Sequence, residues 1–181
     1  DILQDMASLN LVNAVISITT LKEEVRRKME PRTASAKKRL QTVEMLAKAG
    51  IPVMVNIAPI IPGLNDTEIF SIAKAAAEHG ALQINYNIVR LPGEVEPVFT
   101  HWLETSFPLK KEKILHQIAN IHGGEIQDSK SGRRMRGEGV LADSIKQQMQ
   151  LARNKFHLNQ KIPALDCTIF DPKINNQISL F

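Results

Sequence analysis

One cysteine, Cys167, stands among 181 residues. That excludes an internal disulfide and any cysteine-rich metal site built within these residues. Its simplest role is that of a small apolar side chain buried in a strand or turn, as for most free cysteines. The five histidines (His79, His101, His116, His122 and His157) lack zinc spacing. The six-residue step from His116 to His122 puts those two on different helix faces. No glycine-rich phosphate signature occurs, and no Ser, His and Asp stand in a pattern that marks a triad. Aromatic residues make up 4% of the chain and do not interleave with its basic loop, so a stacking platform for single-stranded nucleic acid is lacking. No apolar run nears the roughly 20 residues of a membrane span, and no signal-peptide pattern opens the sequence. No membrane partner is therefore expected. The net charge of +4 suits an anionic ligand or nucleic acid without requiring either. The length suits one domain with a sizeable core.

What is present centres on the stretch Val53-Met54-Val55-Asn56-Ile57-Ala58-Pro59-Ile60-Ile61-Pro62-Gly63-Leu64-Asn65-Asp66. Its first six residues are apolar except for Asn56, and Val53, Val55 and Ile57 are β-branched. This predicts a strand buried on both faces of a parallel sheet. Pro59 and Pro62 fix φ and remove two donors, so the strand is expected to stop there. Gly63 permits a positive φ, and Asn65 with Glu68 reads as a capping-box variant.

The flanking pattern alternates strand and helix. Residues 2–10 have helical spacing, and residues 14–19 form a strand rich in β-branched residues. Leu21, Val25 and Met29 suit a short helix or an ordered loop. Ser35 is a candidate N-cap for a helix through Ala49, which Gly50 stops. A helix over 66–79 follows, then a strictly alternating strand over 82–89 that leads into Arg90-Leu91-Pro92-Gly93. Such a β-α-β-α-β order implies parallel strands, in a (β/α) barrel or an open doubly wound sheet. Three strands are few for either, and the chain opens on Asp1 within a helical pattern, so a fragment or processed product is expected. Beyond residue 96 the chain is mainly helical, over 98–104 (with Phe99 and the only tryptophan, Trp102), 109–122 and 141–156. A basic loop spans 128–137, and residues 165–170 suit a short strand or a docked extension.

Each candidate site residue has two readings. Ser17 and Thr19 end a strand where α/β enzymes bind ligands; their hydroxyls suit a ribose or a carboxylate, or simply strand propensity. Glu30-Pro31-Arg32 can aim a guanidinium at a carboxylate, or be a solvated loop with a weak ion pair. Asn56 within an apolar strand is either satisfied inside the sheet or aimed at a ligand. Arg90, directly after a strand, is a similar candidate. Arg133, Arg134 and Arg136 can meet phosphate or nucleic acid, or be a solvated basic loop.

Together, several segments resemble one family. They are Val15-Ile16-Ser17-Ile18-Thr19-Thr20, Met29-Glu30-Pro31-Arg32-Thr33, Lys38-Arg39-Leu40, Ala49-Gly50-Ile51-Pro52-Val53, residues 58–66, Arg90-Leu91-Pro92 and Met135-Arg136-Gly137-Glu138-Gly139. In order and spacing they look like the second half of a radical S-adenosylmethionine protein, of the branch related to spore photoproduct lyase and often called DNA repair photolyase-like. The resemblance implies an α/β fold: a partial, TIM-like (β/α) barrel contributing the last three βα units of a (β/α)6 barrel. Residues 1–95 would be that barrel portion and residues 96–181 a helical extension packed on it. Full-length members hold a [4Fe–4S] cluster through a C-x3-C-x2-C loop and use S-adenosylmethionine to make a 5′-deoxyadenosyl radical; the protein positions these cofactors.

The single cysteine departs from that pattern, so neither cofactor is expected bound to this chain alone, and no radical activity is expected of it. The partners implied are the N-terminal half of the same protein, which would carry the cysteine loop, and a reducing electron donor in the cytoplasm. Exposed strand edges would favour self-association or marginal stability. The resemblance places Ser17 and Thr19 towards the ribose, and Arg32, oriented by Glu30, towards the carboxylate of the cofactor. It places Asn56 towards the cofactor and the backbone of Ala58, Pro59 and Ile60 along the adenine. Arg90 would face substrate, with Arg133, Arg134 and Arg136 available to a nucleic-acid substrate. Two rivals are a non-catalytic nucleic-acid-binding module and a (β/α) enzyme for a phosphorylated metabolite; the proline-bearing loop at 59–63 argues against a phosphate nest there.

Overall fold

The structure, a computed structural model, describes residues 1–124, 126 and 135–168. Helix α1 (Ile2–Ser8) precedes strand β1 (Ala14–Ser17), helix α2 (Glu23–Met29) and helix α3 (Ala36–Lys48). Strand β2 (Val53–Ile60), helix α4 (Ile69–Glu78) and strand β3 (Gln83–Ile88) follow. The C-terminal part carries α5 (Val95–Ser106), α6 (Lys111–Ile121) and α7 (Val140–Lys155). Both strand pairs are parallel, in the order β1-β2-β3. This small parallel sheet is compatible with part of a (β/α) barrel, and three strands do not close one.

The local chemistry explains most boundaries. Ser35 caps α3, its hydroxyl accepting from the Lys38 amide at 3.3 Å. Val53, Val55 and Ile57 are 0% exposed and pack with Leu40, Val43, Ile69, Ile72 and Ala76 of the two crossover helices. Burying each such side chain contributes about 1.5–3 kcal/mol. Helix α7 extends this core through Ile145, Met149 and Ala152. A second cluster joins Val25, Ile61, Leu64, Val89 and Leu91 to Leu103, Ile114 and Ile118.

Several expectations are corrected. Strand β2 is fully covered on one face only; Met54, Asn56 and Ala58 on the other are half-buried. Nor does the strand stop at Pro59. It runs to Ile60, through an irregularity between Ile57 and Ile60 where β2 carries one residue more than β3. A bulge needs no ladder donor from the proline, which is why it is tolerated there. The Ala58–Pro59 peptide is cis.

The capping box at Asn65 and Glu68 does not form. Asn65 makes no side-chain cap, and a 3-10 turn (Asp66–Glu68) precedes α4. Both side chains are spent on neighbouring loops instead. Gly63 has φ +79°, as its turn requires. Cys167 is exposed rather than buried. Residues 165–168 form no strand, though the Asp166 amide donates to Asn10 O at 2.9 Å; Ile169 and Phe170 lie outside the described residues.

The outer edge of β3 is occupied. The Ile88 amide donates to Met135 O, the Gln160 amide donates to Leu82 O, and Arg153 donates to Ile84 O. On the outer edge of β1, Arg39 Nη1 donates to Ser17 O at 2.8 Å.

Candidate ligand site at the strand ends

The parallel register builds a polar row. Ser17 lies opposite Asn56, and Asn56 opposite Asn85. Directly paired residues share a face of a sheet, so the three side chains cross the half-open face together. The Asn85 side-chain oxygen accepts from Arg153 at 2.8 Å and Arg136 at 3.4 Å. Ser17 is exposed. The Asn56 amide, half-buried, makes no hydrogen bond among the described residues.

Beyond the strand ends the loops are tied tightly. Thr19 is 2% exposed. Its hydroxyl lies 3.1 Å from Ala58 O and 3.2 Å from Glu30 Oε1, and with one proton it donates to one of them at a time. The other Glu30 oxygen accepts from Arg39 Nη2 at 2.8 Å. Glu30 therefore orients Arg39, where the resemblance implied Arg32. Arg39 spans the site's outer side, since the same guanidinium holds Ser17 O. Arg26 fixes the turn that carries Arg32 by donating to Glu30 O and Thr33 O. It also donates to Glu23, whose carboxyl is held down to about 2 chiefly by that hydrogen bond. Arg32 itself is exposed, with no side-chain partner among the described residues.

A cleft of about 400 Å³ opens beside these loops. Glu30, Pro59, Ile61, Arg90 and Leu91 reach it from the strand ends, and Phe99 and Trp102 wall it from α5. Ile60, by contrast, is 0% exposed, and its carbonyl accepts from the Val89 amide at 2.9 Å.

On the far edge of β3, Arg136 lies over the Tyr86 ring at 4.1 Å. Arg136, Arg153 and Lys146 line a separate pocket of about 300 Å³. Burial, then the neighbouring Arg136 charge, lowers the Arg153 pKa below the ordinary arginine value. Arg133 and Arg134 lie outside the described residues.

The structure thus brings Ser17 beside Asn56, and Thr19, Glu30 and Ala58 into one hydrogen-bonded knot. It places Pro59 and Arg90 on one cleft, and leaves Arg32 and Arg136 apart from it. Asn85, Arg39, Arg153 and the aromatic wall were not singled out as site residues by sequence. Asn85 occupies a polar position of an alternating strand, but only the register sets it beside Asn56.

Parallel βαβαβ topology, with a polar row that crosses the sheet from the end of β1 to the middle of β2 and β3, defines an α/β protein, a class that binds ligands at the C-terminal end of its sheet. The model of the Radical SAM superfamily matches residues 1–96. The chain belongs to that superfamily. Comparison with curated proteins and with solved structures finds no match.

Family membership implies S-adenosylmethionine and a [4Fe–4S] cluster in the full-length enzyme. The residues present do not fit the cluster. Cys167 is the only cysteine and is exposed, and among the described residues no three His, Cys, Asp or Glu side chains converge as a metal site. The hydroxyl and amides of the polar row do fit a nucleoside, whose edges want both donors and acceptors. Among the described residues no helix is long and apolar enough to cross a membrane.

Proposed function

We propose that this chain is the cofactor- and substrate-facing portion of a radical S-adenosylmethionine enzyme, contributing the last three βα units of a partial (β/α)6 barrel. The observation that carries the reading is the Asn56 side-chain amide beside Ser17 on the half-open face, without a hydrogen-bond partner among the described residues. S-adenosylmethionine, when bound with a cluster, supplies the radical chemistry of the superfamily. The part of these residues is to hold it. Ser17 and Asn56 take the ribose, Arg32 the carboxylate, and the backbone of Ala58, Pro59 and Ile60 borders the adenine. Thr19 and Glu30 act as positioning residues, because their side chains already bind each other and Arg39. The cluster ligands are assigned to a C-x3-C-x2-C loop upstream of Asp1, in the branch related to spore photoproduct lyase. An electron donor of the reducing cytoplasm completes the system.

Two measurements test this. Reading the gene upstream of Asp1 should reveal the cysteine motif within about 100–150 residues, the length of roughly three βα units. A start codon at or near Asp1, with no such motif, overturns the reading. In the longer chain, Asn56→Leu should weaken S-adenosylmethionine binding about tenfold, the equivalent of one lost hydrogen bond. Unchanged affinity removes Asn56 from the site.

A second reading is favoured by the pocket that Arg136, Arg153 and Lys146 line: a non-catalytic nucleic-acid-binding module. It expects oligonucleotide affinity to fall steeply with salt. Arg136→Ala should then shrink the salt slope by about 0.7–0.9 for each phosphate that the arginine neutralises. Salt-independent binding, or none, removes it.

A further inference from the structure

The cleft beside the strand ends carries a charge that no acid among the described residues matches. Its walls are apolar: Met29, Leu91, Val95, Val98, Phe99 and Trp102. Val95 and Val98 are 48% and 69% exposed although they face it. Arg90 stands in this lining, and its Nε is buried with no hydrogen-bond partner. Nη1 reaches only the Met135 sulfur, at 3.8 Å, a weak acceptor. No carboxylate among the described residues lies within ion-pair distance of Arg90. Among the described residues the acid lining the cleft is Glu30, which is paired with Arg39 at 2.8 Å.

The Nε–Nη2 edge of the guanidinium is thus without a hydrogen-bond partner among the described residues. That edge is the fork which a planar carboxylate bridges with two parallel hydrogen bonds. The volume of about 400 Å³ falls within the span of small-molecule pockets, roughly 300–1,000 Å³. Phe99 and Trp102, 5.2 Å apart between ring centroids, offer faces and edges to an aromatic or aliphatic body.

We infer that this cleft binds a small organic acid, an apolar or aromatic body bearing one carboxylate held by Arg90, and that this is the substrate's chemical class. As a substrate assignment this rests on the proposed radical S-adenosylmethionine function. As a binding site it needs no cluster.

Trp102 is the only tryptophan and lines the cleft, so its fluorescence reports occupancy. The probes are 3-phenylpropionate, its uncharged amide, and adenosine. The acid should change Trp102 emission saturably and bind at least about tenfold more tightly than the amide, the worth of a charge-assisted hydrogen bond. Arg90→Gln should abolish that preference and leave the weak amide binding. Val98→Asp, on the exposed rim, should weaken the acid by a similar factor with the far-ultraviolet circular dichroism unchanged; it decides the matter if Arg90→Gln does not fold. Equal binding of acid and amide, an acid preference that survives Arg90→Gln, or no saturable response to the acid overturns the inference. So does displacement of the acid by adenosine, which would assign the cleft to the nucleoside and leave the proposed function standing.

Discussion

Replacing Asn65 by alanine is expected to lower the unfolding free energy by about 3–5 kcal/mol, an unusually large loss for a polar residue in a loop. The side chain is 1% exposed and uses both ends. Its amide nitrogen donates to Thr19 O at 2.8 Å and Pro59 O at 3.0 Å, and its oxygen accepts from the Ile61 amide at 2.7 Å. Alanine leaves two carbonyls and one N–H unpaired where water has little access. Each orphaned group costs about 1–3 kcal/mol. Asn65→Asp should be no milder. It keeps the acceptor for Ile61 but turns a carboxylate oxygen towards two carbonyl oxygens. Urea unfolding followed by circular dichroism measures both variants. A loss below about 1 kcal/mol would mean that the loops at 19 and 59–61 hold each other without this bridge.

That bridge also marks how far the sequence could be read. Helix and strand identities were legible because periodicity reports which face is buried: β3 alternates along its whole length, and α3 carries both its cap and its stripe. The extent of β2 was not, because proline is read as a strand terminator and the bulge that accommodates it is a property of the neighbouring strand. Asn65 and Glu68 misled for a related reason. Their spacing satisfies a local rule, yet each finds better partners 46–48 residues away. The same limit applies at the site. Ser17 and Asn56 were readable as polar residues in apolar strands, whereas the pairing of Glu30 with Arg39 depends on where α3 crosses the end of β1. The Arg90 position after a strand was visible; that no acid among the described residues stands beside it is a fact of three dimensions.

Glu68→Ala is expected to cost about 2–4 kcal/mol, and its coupling to Asn65 is the more telling result. Glu68 is 5% exposed. It accepts from the Thr20 hydroxyl at 2.7 Å and from the Leu21 amide at 2.9 Å. The Thr20 oxygen in turn accepts from the Lys22 amide at 3.1 Å. Glu68→Gln should cost less, about 1–2 kcal/mol, because its amide group can face the Thr20 hydroxyl, which accepts as well as donates, and its oxygen can still serve Leu21. Asn65 and Glu68 flank one short turn and grip consecutive residues of one segment, 19–21. Once one grip is lost the segment can move, and the second holds less. The double variant should therefore fall short of the summed single losses by about 1 kcal/mol or more, as for residues sharing one network. Strict additivity would show that the two clamps act on independent segments. The proposed site depends on their acting together, because residues 19–21 leave β1 just after Ser17 and carry Thr19 to Glu30. A loosened segment would blur the spacing between the polar row and the cleft, and ligand affinity at both should then fall in step with the coupling measured in urea.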